Sequence, residues 1–458
     1  MRIATSSAMQ SPMDKPPAAP SFWQSFVYWF KLGVVSFGGP AGQIAMMHDA
    51  LVVQRRWISE RRFLHALNYC MVLPGPEAQQ LATYIGWLMH GTWGGIMAGS
   101  LFVLPSLLIL IALSWVYMAW GKLALVAGFL YGVKPAVTAL VLFSAWRIGS
   151  KTLKTPGLRA VALLALLAIA LLDVPFPLIV LLAGLAGYLG QRWWPAQFSV
   201  ASGQSQALAR QAAAVIDDDT PTPTHARLRW AQLARVLLAG LALWVVAIGW
   251  LAYHYGSDAL LTQMAWFFTK AALLTFGGAY AVLPYVYQGA VEQFHWLSAG
   301  QMMDGLALGE TTPGPLIMVL AFLGFVAGWT HAAANTSSLL LAGVVAASWV
   351  TFFTFLPSFI FIFLGGPVIE TTHGNVKLSA PLTGITAAVV GVIVNLALFF
   401  AYHVFLPGGW GGALDLAAAV LGLLCLLALA YYKVGVSRVV LGAGCAGMAW
   451  QYLQVWVH

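Results

Sequence analysis

Three features of this chain predict an all-α polytopic membrane protein: very few charges, apolar runs long enough to cross a bilayer, and a set of polar-punctuated motifs that occurs twice. Only 8% of the 458 residues are charged and 60% are hydrophobic. A soluble domain carries roughly 25% charged residues, so this chain cannot coat itself for water. Gly94–Trp120 and Ser337–Gly366 are apolar runs longer than the roughly 17–25 residues that span a bilayer as helix. Barrel strands would instead alternate over about ten residues.

The formal charge of +8 fits basic loops on the cytoplasmic side of a membrane better than nucleic-acid binding. Cys70, Cys425 and Cys445 lie in apolar sequence without metal-ligand or CxxC spacing, which predicts neither a disulfide nor a metal site. The ten histidines are dispersed, and no Walker A or GxSxG pattern occurs. No enzyme chemistry and no cofactor are expected. Residues 1–20 lack the short apolar core of a cleaved signal and read as a disordered lead. The first apolar segment, from Phe22, then serves as an uncleaved insertion signal.

The duplication is in register. Lys31 and "FGG" (Phe37–Gly39) return as Lys270 and Phe276–Gly278, 239 positions later. The same offset carries Trp57-Ile58-Ser59 onto Trp296-Leu297-Ser298, and Pro74-Gly75-Pro76 onto Pro313-Gly314-Pro315. Past that point the register slips, yet Leu104-Pro105-Ser106 is echoed by Leu356-Pro357-Ser358. Between the copies, residues 191–230 are rich in Pro, Ser, Thr and Asp and read as a polar linker. The organisation is therefore two homologous repeats, 21–190 and 231–458, with about ten to thirteen membrane segments. The loop after the first FGG carries Arg55, Arg56, Arg61 and Arg62, whereas its counterpart carries Glu292 and Asp304 and no Lys or Arg. Equivalent loops of opposite charge predict opposite sides of the membrane, an inverted repeat.

Pro-Gly-Pro inside apolar sequence breaks a helix. Freed backbone groups at membrane depth survive only inside protein or beside a polar cavity. Residues 63–73 and 77–91 are each too short to span alone, and they read as half-helices meeting at Pro74, Gly75 and Pro76. A helix starting there presents free N–H groups that suit an anion. Gly38 and Gly39, with Gly277 and Gly278 in the second copy, supply further breaks, and Pro313, Gly314 and Pro315 the fourth. Simple kinks are the alternative, but paired breaks in two repeats point to a transporter site.

Lys31 and Lys270 fall within apolar helices and recur, which suits neutralising an anion; snorkelling to the interface is the alternative. Glu77 and Glu310 flank the two Pro-Gly-Pro motifs and are candidates to carry a proton, because burial disfavours a charged carboxylate. Glu77 also reads as a first-turn acid that stabilises its helix. Asn68, Gln79, Gln80, Thr311 and Thr312 can donate to oxyanion oxygens, and Asn395 is a further buried polar candidate or an interhelical contact. The four arginines either draw anions to a cytoplasmic mouth or fix orientation.

"SFGGPAGQIA", "RRWIS" and "LPGPEAQQL" in the first half, with "TFGGAYAVLPYV", "ETTPGPLIMVL" and "NVKLSAPLTGITAAVVG" in the second, resemble the chromate ion transporter family, in its long two-domain form. The likeness spans nearly everything outside lead and linker. It implies two homologous halves, expulsion of chromate from the bacterial cytoplasm across the inner membrane, and use of the proton motive force. The family motifs fall on Gly38, Gly39, Pro74, Gly75, Pro76, Gly277, Gly278, Pro313, Gly314 and Pro315. Gln43 stands where many members have histidine, and Asp49 where a basic residue is common; both departures bear on anion specificity. The expected partners are chromate or a related oxyanion and the lipid bilayer, with a homodimer left open. Transport of sulfate or another tetrahedral oxyanion is the nearer alternative. A membrane-embedded accessory subunit or enzyme is the farther one.

Overall fold

The computed structural model describes residues 17–36, 39–121, 123–198, 213–218, 220–221, 223–276, 278–332, 338–372, 379–409 and 412–457. Among these the chain is helical nearly throughout, and Ile58 with Ile216 forms an isolated bridge. The first set of helices is α1 (Phe22–Val35), α2 (Gly39–His48), α3 (Glu60–Val72), α4 (Glu77–Trp120), α5 (Ala124–Thr152), α6 (Pro156–Leu172), α7 (Phe176–Trp193) and the short α8 (Pro195–Phe198). The second set is α9 (Trp230–Tyr255), α10 (Leu260–Leu274), α11 (Ala279–Tyr287), α12 (Ala299–Thr311), α13 (Val319–Thr330), α14 (Leu339–Thr372), α15 (Ser379–Phe405), α16 (Leu416–Ala430) and α17 (Val436–Val457).

The two copies repeat one another down to local backbone detail. α2 runs on as a π-helix over Asp49–Gln54, and α11 does the same over Gln288–Gln293. Each π-helix is followed by a left-handed residue, Arg56 at φ 51° and His295 at φ 52°. Trp57 and Trp296 are buried just beyond. Ser59 and Ser298 then cap α3 and α12 by accepting the amides of Arg62 and Gln301. The recurring Trp-x-Ser is thus one buried anchor plus one helix cap. Gly39 and Gly278, and Gly75 and Gly314, all hold positive φ, where a side chain would be strained.

Within α4, His90 and Gly91 leave helical geometry and the chain reverses. Gly86 packs on Gly94 and Ala98, and Gly99 packs on Gln79 and Thr83, so the two limbs of α4 lie antiparallel. α13 and α14 form the matching hairpin, with Gly324 against Ala346 and Ala347 and Gly328 against Ala342. The returning limb of α4 and α14 are copy-equivalent through their Leu-Pro-Ser motifs. They run antiparallel, with Gly95 on the Phe363 ring and Gly99 on Phe359. The two hairpins therefore point to opposite ends of the molecule, the arrangement an inverted repeat requires.

The copies interlock rather than sit side by side. α5 packs against α16 and α17, α15 packs against α6 and α7, and α5 meets α15. Close approach rests on small residues: Gly128 and Gly132 meet Gly447, Gly384 meets Ala183 and Gly187, and Gly391 meets Ala162. Five helices are long and apolar enough to cross a membrane, and four shorter apolar helices accompany them, among the described residues. Because the chain turns back at the breaks, segments outnumber crossings. α9 is mostly exposed, burying Ala247 and Leu251. With Leu171 and Leu172 72% and 73% exposed, such surfaces are favourable against lipid rather than water.

Candidate functional site

Each copy's Pro-Gly-Pro turn is bonded to the helix end that precedes the other copy's FGG. The Gly75 amide donates to the carbonyl of Thr275, the C-cap of α10, at 2.7 Å. The Gly314 amide donates to the carbonyl of Ser36, the C-cap of α1, at 2.9 Å. Thr275 and Ser36 are themselves copy-equivalent. A second exchange runs through the Leu-Pro-Ser motifs. A methyl group on Gly75 would meet Ser358 Oγ at 2.5 Å, and one on Gly314 would meet Ser106 Cβ at 2.6 Å. Four interrupted segments and two serines therefore converge on one junction between the copies.

The helix starts at this junction differ from those of α1, α3 and α12. Ser21, Ser59 and Ser298 cap α1, α3 and α12 with their side chains. At the breaks, α4 begins after Pro76, α11 after Gly278 and the 3-10 turn Leu316–Met318 after Pro315, all without a side-chain cap. Their first N–H groups remain as donors, at the positive end of each helix dipole. Buried polar atoms without a protein partner gather in the same place: Ser36 Oγ, Gln43 Oε1, Gln79 Oε1, Gln80 Oε1, Ser106 Oγ and Ser358 Oγ. Leaving such groups unpaired costs about 1–3 kcal/mol each, so the cluster is suited to a polar guest. The hydroxyls can donate to an oxyanion; the amide oxygens accept from water or from an anion carrying a proton.

The remaining predicted residues divide clearly. Gln80 Nε2 donates to the Pro74 carbonyl at 2.7 Å, and Gln79 Nε2 donates to Thr83 Oγ1 at 3.0 Å. Gln43 Nε2 donates to the carbonyls of Ser36 and Gly314, tying both copies together. Glu77 is half-buried at the start of α4, and its Oε1 faces Gly278 at the start of α11. Glu310 is buried and accepts the Tyr280 hydroxyl at 2.5 Å; Ser437 Oγ donates to its carbonyl at 3.5 Å. Thr311 and Thr312 give their hydroxyl protons back to α12, to the carbonyls of Leu308 and Gly309.

Other residues are not brought to the junction. Lys31, Lys270 and Asn68 carry exposed side chains. Lys270 lies over the Trp266 ring, 6.0 Å from its centroid, in a cleft of about 410 Å³ beside α9. The arginines have partners of their own: Arg55 stacks on Tyr28 and Trp57, Arg61 faces Asp218 at 3.9 Å, and Arg62 binds Glu370. Arg56 holds the left-handed turn. Gly38 and Gly277 lie outside the described residues. Asp304, read above as a loop charge, sits buried on α12 instead.

Sequence reasoning passed over Ser36, Thr275, Ser106, Ser358 and Tyr280. The Leu-Pro-Ser echo was the available signal for the two junction serines. The described part of the linker also docks: Ile216 pairs with Trp57 and Ser59, and His225 Nε2 lies 2.9 Å from the Trp87 carbonyl.

Interlocked repeats of membrane helices, broken and polar at their crossing, define a multi-pass membrane transport protein. The chain belongs to the chromate transporter family, whose profile matches residues 23–188 and 262–448. α9 lies between the two matched stretches. It is similar to a chromate transport protein of Pseudomonas aeruginosa, at 35% identity over 97% of this chain and 94% of that protein. It is also similar to one of Cupriavidus metallidurans, at 28% identity over 93% and 92%. A probable chromate transport protein of Synechococcus elongatus is 30% identical over 80% and 81%. No solved structure matches.

Proposed function

We propose that this protein is a secondary transporter exporting chromate, a divalent tetrahedral oxyanion, across the bacterial inner membrane, driven by the proton motive force. The observation that carries this reading is the set of unpartnered buried hydroxyls, Ser36, Ser106 and Ser358, at the reciprocal Gly75–Thr275 and Gly314–Ser36 bonds. Neutral donors and helix N-termini stabilise a dianion without burying a fixed cation. Lys31 and Lys270 would have to turn inward to share that work. Glu310, held by Tyr280, and Glu77, facing α11, are the proposed proton carriers. A carboxylate that loads a proton at one face and releases it at the other couples anion movement to the gradient.

Charge supports an orientation. The end of the molecule bearing the His90–Gly91 turn also bears Arg55, Arg56, Arg61 and Arg62, the α5–α6 lysines Lys151 and Lys154, and Arg227 and Arg229 before α9. The opposite end bears Asp173, Asp258, Glu292 and Asp415. The basic end is the cytoplasmic one by the positive-inside rule, so export runs from the first hairpin's end to the second's.

Purified protein in vesicles, with chromate followed under an imposed pH gradient, tests the reading. Gradient-dependent flux is expected. Absence of flux from the chain alone would favour an accessory subunit. Sulfate competing as well as unlabelled chromate would make the natural substrate a broader oxyanion class.

A further inference from the structure

Two ion pairs join one copy to the other among the described residues, and they occupy related positions. Arg62 Nη1 of α3 lies 3.2 Å from Glu370 Oε2 of α14, and the Tyr84 hydroxyl donates to Glu370 Oε1 at 2.5 Å. Lys134 Nζ of α5 lies 3.8 Å from Asp304 Oδ1 of α12, and the Tyr117 hydroxyl of α4 donates to Asp304 Oδ2 at 3.0 Å. The other two ion pairs, His48–Glu60 and Arg61–Asp218, stay within the first copy and its linker. Both Glu370 and Asp304 are buried, at 7% and 4% exposure.

The resemblance is in the helices that are tied. In each cluster the helix that follows Trp-x-Ser in one copy is held to the long helix that follows Pro-Gly-Pro in the other. Carried by the Leu-Pro-Ser register, Tyr117 corresponds to Ile369, next to Glu370. Carried by the Pro-Gly-Pro register, Arg62 corresponds to Gln301, one turn before Asp304. The carboxylate sits on the long helix in one cluster and on the short helix in the other, where the long helix contributes Tyr117 and the cation comes from α5.

The clusters also lie on opposite sides of the junction. Tyr117 is eleven residues beyond Ser106, roughly 16 Å along the helix, and Glu370 is twelve beyond Ser358, roughly 18 Å. Glu370 lies beside Tyr84, in the outgoing limb of the first hairpin. Tyr117 packs on Phe322 of the second hairpin, with ring centroids 5.2 Å apart. The two hairpins point to opposite ends, so each cluster stands about half a bilayer from the junction, one toward each face.

We propose that Arg62–Glu370–Tyr84 and Lys134–Asp304–Tyr117 are the two gates of the transport path, broken in turn as the junction opens to one face and then the other. Both are formed here, so the junction is closed at both ends. The linker reinforces the first gate, because Arg62 Nη2 also donates to the Thr220 carbonyl at 2.7 Å. A pair with a buried carboxylate is costly to half-remove and has two discrete states, made or broken, which suits an element that must not drift between them. The inference rests on the transport reading, but its test does not require flux.

In a variant lacking the three native cysteines, Ser114→Cys and Phe363→Cys report on the two half-paths. Ser114 lies between Ser106 and Tyr117, and Phe363 between Ser358 and Glu370; both are buried. A membrane-impermeant thiol reagent is applied from either side of oriented vesicles. Asp304→Asn should raise labelling at Ser114→Cys about tenfold from the face opposite the arginine loop, within the range by which one coupled site shifts another's equilibrium. Glu370→Gln should raise labelling at Phe363→Cys from the arginine-loop face. Each variant should leave the other reporter slow, which separates gate opening from unfolding. Unchanged labelling in both, or both reporters opening to one face, would overturn the proposal. If labelling behaves as expected while no anion moves in vesicles, the gates stand and the assigned cargo falls.

Discussion

Gly75 donates its amide to Thr275 of the other copy, and its equivalent, Gly314, donates to Ser36, the equivalent of Thr275. One contact made twice, with the partners exchanged, places the junction on the pseudo-two-fold axis of the molecule. Whatever binds there meets two nearly equivalent half-sites. This explains why the glycines recur in both copies.

Gly75 and Gly314 hold φ of 129° and 101°, and a methyl group would strike Ser358 or Ser106. Gly75→Ala and Gly314→Ala should each destabilise the protein by about 1–3 kcal/mol, from backbone strain alone. Transport should fall in both. Thermal unfolding in detergent checks the first effect and vesicle flux the second. Similar losses in the two variants are expected, because the sites are equivalent.

Ser106 and Ser358 are expected to separate stability from function. Their buried hydroxyls have no protein partner, so Ser106→Ala and Ser358→Ala should leave stability unchanged or slightly raised. If these hydroxyls donate to a bound anion, each substitution removes about 1.5–3 kcal/mol of charged hydrogen bonding, or roughly 10–150-fold in Kd. Parallel unfolding and chromate-binding titrations distinguish the two effects.

Glu310 and Glu77 are expected to differ from the donors in which step they serve. Glu310→Gln keeps the hydrogen bond from Tyr280 but cannot exchange a proton. It should abolish gradient-driven flux while sparing chromate exchange between the two sides. Tyr280→Phe should weaken coupling in the same direction by releasing Glu310. If Glu77→Gln and Glu310→Gln both keep full gradient-driven flux, neither carries the proton.

Ser59 and Ser298 provide a structural control. Each caps the end of its helix that lies away from the Pro-Gly-Pro turn. Ser59→Ala and Ser298→Ala should each cost about 1 kcal/mol of stability, with chromate affinity unchanged. An affinity loss equal to that of Ser106→Ala would mean that any weakening of the fold impairs binding.

The parts of this fold legible in sequence are those where backbone chemistry dictates the residue. Left-handed turns need Gly75 and Gly314, caps need Ser59 and Ser298, and a break needs proline. Their spacing therefore survives duplication and reveals the copies. Side-chain partnerships leave no such trace. Tyr84 and Glu370 are 286 positions apart, and Tyr117 and Asp304 are 187 apart, so only the fold brings them together. Recurrence alone also leaves side-chain direction open. Lys31 and Lys270 occur in both copies, yet each is exposed, because periodicity says that a position matters and not which way its side chain turns. Asp304 shows the converse: a charge read as a loop marker is a buried partner of Tyr117 and Lys134.

An experimental structure solved with molybdate, a heavy tetrahedral dianion, would locate the anion by its scattering. The junction predicts density between Ser106 and Ser358, within hydrogen-bonding distance of their hydroxyls and near the starts of α4 and α11. Density confined to the Lys270 cleft, or an empty junction at saturating molybdate, would contradict it.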